Sequence, residues 1–346
     1  MTWAFVRVAR DTGRRERRIW GVLSGLVALI VLCLLSLAFG SRPIPLDVVL
    51  DAINAYDPSD DRHLIVWSLR VPRTAVALLA GLALGVSGAV MQAITRNPLA
   101  EPGLLGVNAG AAVSVVLGAS FFGVATMAGR VWFGIAGAGL AGGAVFFLGR
   151  AHETGTNPVR LVLAGAGLSV MLGAVTGIVL INAPTSVLDD FRTWAAGSVA
   201  GRGFDVAGVL AVVTILGLVV AFSIAANLNA IALGDELGRA LGLHTGRTLF
   251  LACLAVMLLT GGATAAAGPI GFVGLVAPHL ARTVTGPDYR WILPYSALLA
   301  SILLLGADCL GRIIAAPEEI AAGIVTALVG GPFFILIVRR YRLRPL

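Results

Sequence analysis

Ten apolar runs, separated by short polar segments that contain most of the arginines, dominate this sequence. A helix needs about 20 apolar residues to cross the hydrocarbon core of a bilayer. Most of the runs reach this length, and 58% of the 346 residues are hydrophobic while only 12% are charged. The sequence therefore predicts an all-α, polytopic membrane protein with about ten transmembrane helices, over residues 19–40, 64–95, 98–119, 129–149, 160–182, 205–227, 246–267, 270–284, 290–314 and 319–339.

Two of these runs have unusual lengths. The second, 64–95, is long enough to tilt or to project into water. The eighth, 270–284, is short and contains Pro278, so we expect it to cross only part of the bilayer. A helix broken at membrane depth needs protein or a water-filled cavity around its free backbone groups. Residues 268–282 are therefore a candidate wall of a pathway.

The arginines predict the orientation of the chain. All 25 basic residues are arginines, and the predicted spans place 17 of them on the side that holds both termini. The side with more arginine is normally cytoplasmic. We therefore expect a basic cytoplasmic tail over residues 1–18, a transmembrane domain over 19–339 and a cytoplasmic tail over 340–346. The first run lacks a clean cleavage site and is predicted to be a retained helix. The arginines predicted outside are Arg42, Arg62, Arg70, Arg73, Arg130, Arg192, Arg202 and Arg312.

Ten spans with both termini on one side divide into two halves of five helices. Because five crossings reverse the direction of the chain, we expect the second half to be inverted relative to the first. Glycines repeat at a spacing of four residues within several runs, which lets membrane helices pack closely. These pairs are Gly81/Gly85, Gly106/Gly110, Gly139/Gly143 and Gly173/Gly177.

Missing residue types exclude several kinds of site. The sequence contains no lysine, so it lacks the residue with which a P-loop reaches the β- and γ-phosphates of a nucleotide. His, Cys, Asp and Glu form no cluster with the spacing of a metal site. The net charge of +7 comes from arginines at the ends of apolar runs. We therefore expect contact with membrane lipids and no binding of nucleic acid.

Polar segments on the arginine-rich side are the first candidate functional sites. Residues 96–102 read Arg-Asn-Pro-Leu-Ala-Glu-Pro and predict a tight turn between helices. Residues 234–242 form a short amphipathic stretch flanked by glycines. Such a helix could dock in the cleft of a partner protein, and the alternative is an ordinary surface linker.

Arginines on the opposite side are the second group of candidates. Arg70 and Arg73 open the second span, and Arg312 ends the ninth. Arginine suits bidentate recognition of carboxylates, so these side chains could hold an acidic protein surface. The alternative is that they extend to the membrane interface, with Asp308 and Arg312 forming a helical i,i+4 pair.

Several motifs together resemble the FecCD family, the permeases of iron–siderophore, haem and cobalamin ABC importers. They occur in the same order from Arg70 to Arg339. The motifs are R-x-P-R from Arg70, Q-x4-RNPLA-x-P-x-LLG from Gln92, GFVGL-x-x-PH-x-x-R from Gly271, AD-x3-R from Ala307, and Gly330-Gly331-Pro332-Phe333.

The resemblance implies a set of partners. It implies a permease in the bacterial inner membrane, paired with a second permease subunit that is a copy or a homologue. It also implies two cytoplasmic ABC ATPases that bind ATP and Mg, so this chain would be no enzyme and would bind no cofactor itself. An extracytoplasmic solute-binding protein would deliver the ligand, which we expect to be a ferric siderophore.

The resemblance also assigns roles to residues. Docking of the solute-binding protein falls on Arg70, Arg73 and Arg312. Contact with the ATPases falls on the coupling segment Gly234, Asp235, Glu236, Leu237, Gly238, Arg239, Ala240, Leu241 and Gly242. The cytoplasmic gate falls on Asn157, Pro158 and Val159, and the translocation path on Gly165, Gly167 and Gly323.

Two other functions compete with this interpretation. A secondary transporter coupled to ions usually buries ionisable groups near the middle of the membrane. Asp308 is the only clear acid within a predicted span, and it lies near the outer end. A membrane-embedded enzyme needs catalytic side chains clustered at one depth, and the sequence shows no such cluster.

Overall fold

The computed structural model describes residues 2–40, 42–124, 126–149, 158–232, 234, 238, 240 and 242–340, with side chains for all of these except 2–15, 158 and 340. The described chain is helical. The helices are α1 (Thr2–Ala38), α2 (Leu46–Asn54), α3 (Asp61–Ile65), α4 (Val71–Ile94), α5 (Val107–Phe121), α6 (Met127–Leu148), α7 (Pro158–Asn182), α8 (Thr185–Ala195), α9 (Phe204–Ser223), α10 (Ala225–Ala232), α11 (Thr245–Ala267), α12 (Val273–Thr285), α13 (Tyr289–Ile314) and α14 (Ala322–Arg340). A π-helical turn, Val66–Arg70, joins α3 to α4 without a break.

The prediction of a polytopic all-α membrane protein is confirmed. Within the described residues, eight helices are long and apolar enough to cross a membrane, namely Glu16–Ala38, Asp61–Ile94, Met127–Leu148, Val159–Asn182, Phe204–Ser223, Thr245–Ala267, Tyr289–Ile314 and Ala322–Arg339. The second is the longest, as expected. The predicted short eighth span is α12, whose 13 residues extend for about 20 Å.

The predicted start of the third span at residue 98 is wrong. Its helix, α5, begins at Val107 and has only 15 residues. The preceding segment is bent, because Asn97 Oδ1 accepts a hydrogen bond from Leu99 N at 2.9 Å and a 3₁₀ turn occupies Pro102–Leu105. Gly106 then adopts a φ of +72°, which a residue with a Cβ disfavours, and α5 starts after it.

Contacts among side chains and backbone groups of different helices and of the loops between them define two ends of the helix bundle. At the end we call the α8 end, Arg73 contacts Asp308, Arg312 contacts Ser36, and Arg202 contacts Met127. The opposite end is called the α10 end. Four contacts join its helices and loops, namely Arg18 to Thr285, Arg96 to Ile231, Asn229 to Asp288, and Arg282 to Tyr289.

The two halves repeat one order of helices in opposite directions. The first half is α1, α4, α5, α6 and α7, and the second is α9, α11, α12, α13 and α14. In each half the third helix is short and follows a non-helical segment, 95–101 or 268–272. Helix α4 runs from the α8 end to the α10 end, while α11 runs the other way. This arrangement matches the two inverted five-helix halves predicted from the sequence.

Helix α4 lies at the centre and α7 at the periphery. In the most apolar part of each span, 78% of the residues of α4 are buried, against 11% of those of α7. A Cβ added at Gly88 would lie 1.8 Å from the carbonyl oxygen of Gly274, so glycine lets α4 approach α12 closely. Gly81 and Gly85 face the α13 backbone in the same way, whereas Gly139 has open space around it.

Candidate functional site

A buried cluster of ion pairs lies at the α8 end. Arg73 Nη2 donates to Asp308 Oδ1 at 2.7 Å, and its Nη1 donates to Glu319 Oε2 at 2.7 Å. On the other side of the same carboxylate, Arg312 Nη2 lies 3.0 Å from Asp308 Oδ2. The i,i+4 pair considered from the sequence is therefore present, and Asp308 is shared between two guanidiniums.

Arg312 and Arg70 bind mainly to carbonyl groups of the chain. Arg312 is only 2% exposed, and its Nη1 donates to Ser36 O at 3.0 Å and to Phe39 O at 2.9 Å. Arg70 is 6% exposed and donates to Leu37 O at 2.5 Å and to the carbonyl of Arg42. Both side chains thus fix the end of α1 and the loop after it.

The structure fits the predicted docking role better for Arg73 than for Arg70 or Arg312. The guanidinium of Arg312 is enclosed and its donors are in use, which is at odds with direct contact to a partner protein. Arg70 is similarly occupied. Arg73 is 12% exposed and is the most accessible of the three. Docking stays a prediction, for which the structure favours Arg73.

A cavity of about 410 Å³ opens beside this cluster. Its lining includes the three predicted arginines and four residues that sequence reasoning did not select as site residues: Arg42, Gly201, Arg202 and Glu319. Arg202 lies between two glycines in a loop, and this charged residue between glycines was the sequence feature that could have marked it as a site residue. The three-dimensional proximity of this loop to Arg73 was not readable from the sequence.

The coupling segment lies at the α10 end, and only part of it is described. Asp235, Glu236, Leu237, Arg239 and Leu241 lie outside the described residues. Gly238 N donates to Gly234 O at 3.0 Å, and Ala240 is helical and exposed. Gly234 and Gly242, the first and last residues of the segment, have φ angles of +113° and +79°, which residues with a Cβ rarely adopt.

Helix α10 connects the coupling segment to the core of the bundle. Asn229 Nδ2 donates to Asp288 Oδ1 at 2.8 Å, and Asn229 Oδ1 accepts from Tyr289 N at 2.8 Å. On the α4 side, Arg96 Nε donates to Ile231 O at 3.1 Å. A displacement of the segment that follows α10 would therefore reach the start of α13 and the end of α4 through hydrogen bonds.

The predicted gate and path residues have different surroundings. Asn157 lies outside the described residues, Pro158 begins α7, and Val159 is 59% exposed. A Cβ at Gly165 would lie 1.9 Å from Leu104 O, so Gly165 is a packing contact within the chain.

The other two path glycines also differ from each other. Gly323 N donates to Gly197 O at 2.8 Å, so it too makes a packing contact. Gly167 lines an open groove of about 800 Å³ beside α7, together with Arg160 and Met171. Gly167 therefore suits a path better than Gly165 or Gly323 does, and the path itself stays a prediction.

The broken segment before α12 is stabilised by Glu101, which sequence reasoning placed in the turn 96–102 without giving it a role. Phe272 adopts a φ of +66°, and its N–H donates to Glu101 Oε1 at 3.2 Å. This carboxylate therefore satisfies a free backbone group at the start of α12. Nearby, Arg282 Nη1 donates to Gln92 Oε1 at 2.6 Å and joins α12 to α4. His279 packs against the ring of Phe333, with 5.9 Å between ring centroids.

Comparison with known proteins agrees with this architecture. The profile of the FecCD transport family matches residues 28–340. The iron(3+)-hydroxamate import system permease protein FhuB of Bacillus subtilis (strain 168) is 40% identical over 341 residues, covering 97% of this chain and 88% of the relative. The ferric enterobactin transport system permease protein FepD of Escherichia coli (strain K12) is 43% identical over 316 residues, covering 91% and 93%.

A solved structure shows the same fold. It is a metal-chelate type ABC transporter in an inward-facing conformation, with a TM-score of 0.80 and 26% sequence identity. The alignment covers 92% of this chain and 98% of that one. The range matched by the family profile extends beyond the motifs recognised from Arg70 to Arg339 and includes the last 11 residues of α1. The family prediction is therefore confirmed, and this chain belongs to the FecCD transport family.

Proposed function

We propose that this chain is the transmembrane permease subunit of an ABC importer that moves a ferric siderophore, or a related metal chelate, across the bacterial inner membrane. The observation that carries this proposal is the family match over 28–340, which spans both halves of the helix bundle. The substrate class follows from relatives named for ferric hydroxamate and ferric enterobactin transport.

The orientation follows from the arginines. In this proposal the α10 end faces the cytoplasm together with both termini, and the α8 end faces outward. ATP and Mg bind to separate ATPase subunits, because a chain without lysine lacks a standard phosphate-binding loop. The ATPases contact the segment Gly234–Gly242, and the solute-binding protein contacts the α8 end around Arg73 and Arg42.

A second permease subunit, either a copy or a homologue, would cover the exposed face of α7. Val170 and Ile181 on this helix are 76% and 85% exposed. Gly167 and its groove lie on the same helix, which supports a path along α7.

The proposed mechanism transmits motion and involves no covalent chemistry. Closure of the ATPases would displace the coupling segment, and α10 would pass that displacement to α13 and α4 through Asn229 and Arg96. The helix ends at Asp288 and Ile94 would then shift relative to α7, and the path would open alternately to each side.

An ion-coupled mechanism is less compatible with the site. Asp308 already pairs with Arg73 and Arg312, and both guanidiniums stay charged in proteins. Both oxygens of this carboxylate are therefore occupied by guanidiniums of the chain, which leaves it poorly placed to bind a transported cation.

The experiment is ATP-driven uptake by the complex with its ATPases in proteoliposomes, with and without solute-binding protein loaded with a ferric siderophore. We expect the loaded protein to stimulate both ATP hydrolysis and uptake. Arg42→Glu, at the exposed rim of the cavity, should weaken stimulation, while Arg192→Glu, an exposed arginine elsewhere at this end, should not. Uptake that follows a proton gradient in the absence of any co-purifying ATPase would contradict the proposal.

A further inference from the structure

Arg202 is a buried arginine whose donors are poorly satisfied. It lies in the loop between α8 and α9 and is 5% exposed. Its Nη1 lies 2.8 Å from Met127 Sδ, and its Nη2 donates to Ser198 O at 3.4 Å. Its Nε has no hydrogen-bond partner within the described part of the chain. A thioether is a weak acceptor and 3.4 Å is a long hydrogen bond, so the guanidinium retains unused donor capacity.

Neighbouring carboxylates do not compensate this charge. Asp190 is 2.7 Å from Arg130, and Asp308 and Glu319 bind Arg73. Burial, and secondarily the charge of Arg130, lower the pKa of Arg202.

The contrast with Arg312 is informative. Arg312 is equally buried, yet it has a carboxylate partner and several backbone acceptors. A buried charge without such partners is strongly disfavoured. The environment of Arg202 would therefore be favourable if an anion from outside the described chain paired with its guanidinium.

The space for an anion is adjacent. Arg202 lines the cavity of about 410 Å³ and also a smaller one of about 110 Å³. The wall of the larger cavity carries four more arginines, and Glu319 is its only acidic residue among those described. Its volume exceeds by an order of magnitude the roughly 30 Å³ that one water occupies in the liquid.

We propose that Arg202 anchors an oxyanion in the larger cavity. The Nε–Nη2 edge offers two nearly parallel donors, one unused and one weakly used, which suits bidentate binding of a carboxylate or a similar oxyanion. This site differs from the docking arginines predicted from the sequence, because Arg70 and Arg312 are already occupied by groups of the chain.

Thermal unfolding of the purified chain in lipid nanodiscs tests the site, with sodium citrate as the probe and sodium chloride keeping ionic strength constant. Citrate should raise the unfolding midpoint of the wild type in a saturable way. Arg202→Met should weaken the apparent citrate affinity about 10- to 100-fold, because a charge-assisted bidentate contact is lost. Arg192→Met, which removes an exposed arginine at the same end, should respond like the wild type.

Several results would overturn the proposal. They are a wild type that does not respond to citrate, and an Arg202→Met variant with unchanged affinity. If Arg202→Met does not fold, Arg202→Lys serves instead. Lysine keeps the charge but lacks the two parallel donors of a guanidinium, so this variant must bind citrate more weakly than the wild type.

The origin of the oxyanion is a separate question that rests on the proposed function. Uptake of a ferric tris-catecholate, which is anionic, is compared with that of a neutral ferric tris-hydroxamate. A defect of Arg202→Met confined to the anionic chelate would assign the oxyanion to the substrate. Equal defects, with weaker binding of unloaded solute-binding protein, would assign it to an acidic side chain of that protein.

Unchanged uptake of both chelates by Arg202→Met would show that the oxyanion site takes no part in transport. Failure of the proposed function itself would look different, because the wild type would then take up neither chelate in an ATP-dependent way.

Discussion

The shared carboxylate of Asp308 offers the sharpest test of the energetics at the α8 end. Its two oxygens bind Arg73 and Arg312, whose side chains are 12% and 2% exposed. Removing one partner of a buried ion pair costs about 3–5 kcal/mol, because the other charge stays buried without compensation. Asp308→Ala should therefore lower the free energy of unfolding by about 3–5 kcal/mol. Two guanidiniums do not double this value, since Arg312 keeps its carbonyl acceptors and Arg73 keeps Glu319.

Equilibrium unfolding in mixed micelles with increasing SDS, followed by circular dichroism, measures this effect. Asp189→Ala is the matched control, because Asp189 pairs with Arg192 while both side chains are about 70% exposed. That change should stay within about 0.5 kcal/mol of the wild type.

A double variant tests whether charge compensation is the cause. Combining Asp308→Ala with Arg312→Met should cost less than the sum of the two single changes, since both charges then disappear together. Additive losses, or a loss below about 1 kcal/mol for Asp308→Ala alone, would refute the argument that buried charge controls stability here.

Three further changes test helix packing, coupling and the broken segment. Gly88→Ala should destabilise the fold by about 1–3 kcal/mol in the same SDS titration, because its Cβ would overlap the α12 backbone, and Gly139→Ala, which has open space, should be nearly neutral. Asn229→Ala should lower the amount of chelate transported per ATP hydrolysed in proteoliposomes, because the hydrogen bond from α10 to Asp288 is lost. Asn227→Ala changes a residue on the same helix that bonds to α11, and it should leave that ratio unchanged. Equal ratios in both variants would contradict the coupling route. Glu101→Ala should cost about 1–3 kcal/mol in the SDS titration, because the partly buried N–H of Phe272 loses its acceptor. Glu101→Gln should recover most of that loss, and a failure to recover it would show that the carboxylate charge is what matters.

Much of the fold was predictable because hydropathy is a local property. A window of about 20 apolar residues is enough to identify a membrane helix. The continuous helix Asp61–Ile94, α6 and α7 therefore begin and end within a few residues of their predicted bounds, and α1 ends near its predicted bound but extends back to residue 2. The third span was predicted too early, because hydropathy does not distinguish a helix from an apolar segment bent by Pro98 and Pro102.

The family was predictable for a related reason. Its motifs are short runs of residues at fixed spacing, such as Arg70 and Arg73 or Asp308 and Arg312, and they can be read without knowing which helices touch. The roles of individual residues within those motifs depend on distant parts of the chain, and there the sequence was insufficient.

What the sequence by itself determined is the set of membrane helices, the family, and the unequal distribution of arginine between the two ends. Only the tertiary structure decided which arginines are occupied. Arg312 is enclosed because Ser36 and Phe39, more than 270 residues earlier, place their carbonyls around it. Arg202 is buried beside Met127 without a carboxylate partner in the described chain. The physical reason is that the charge of a side chain is a property of the residue itself, whereas its solvation and its partners depend on segments that only folding brings together.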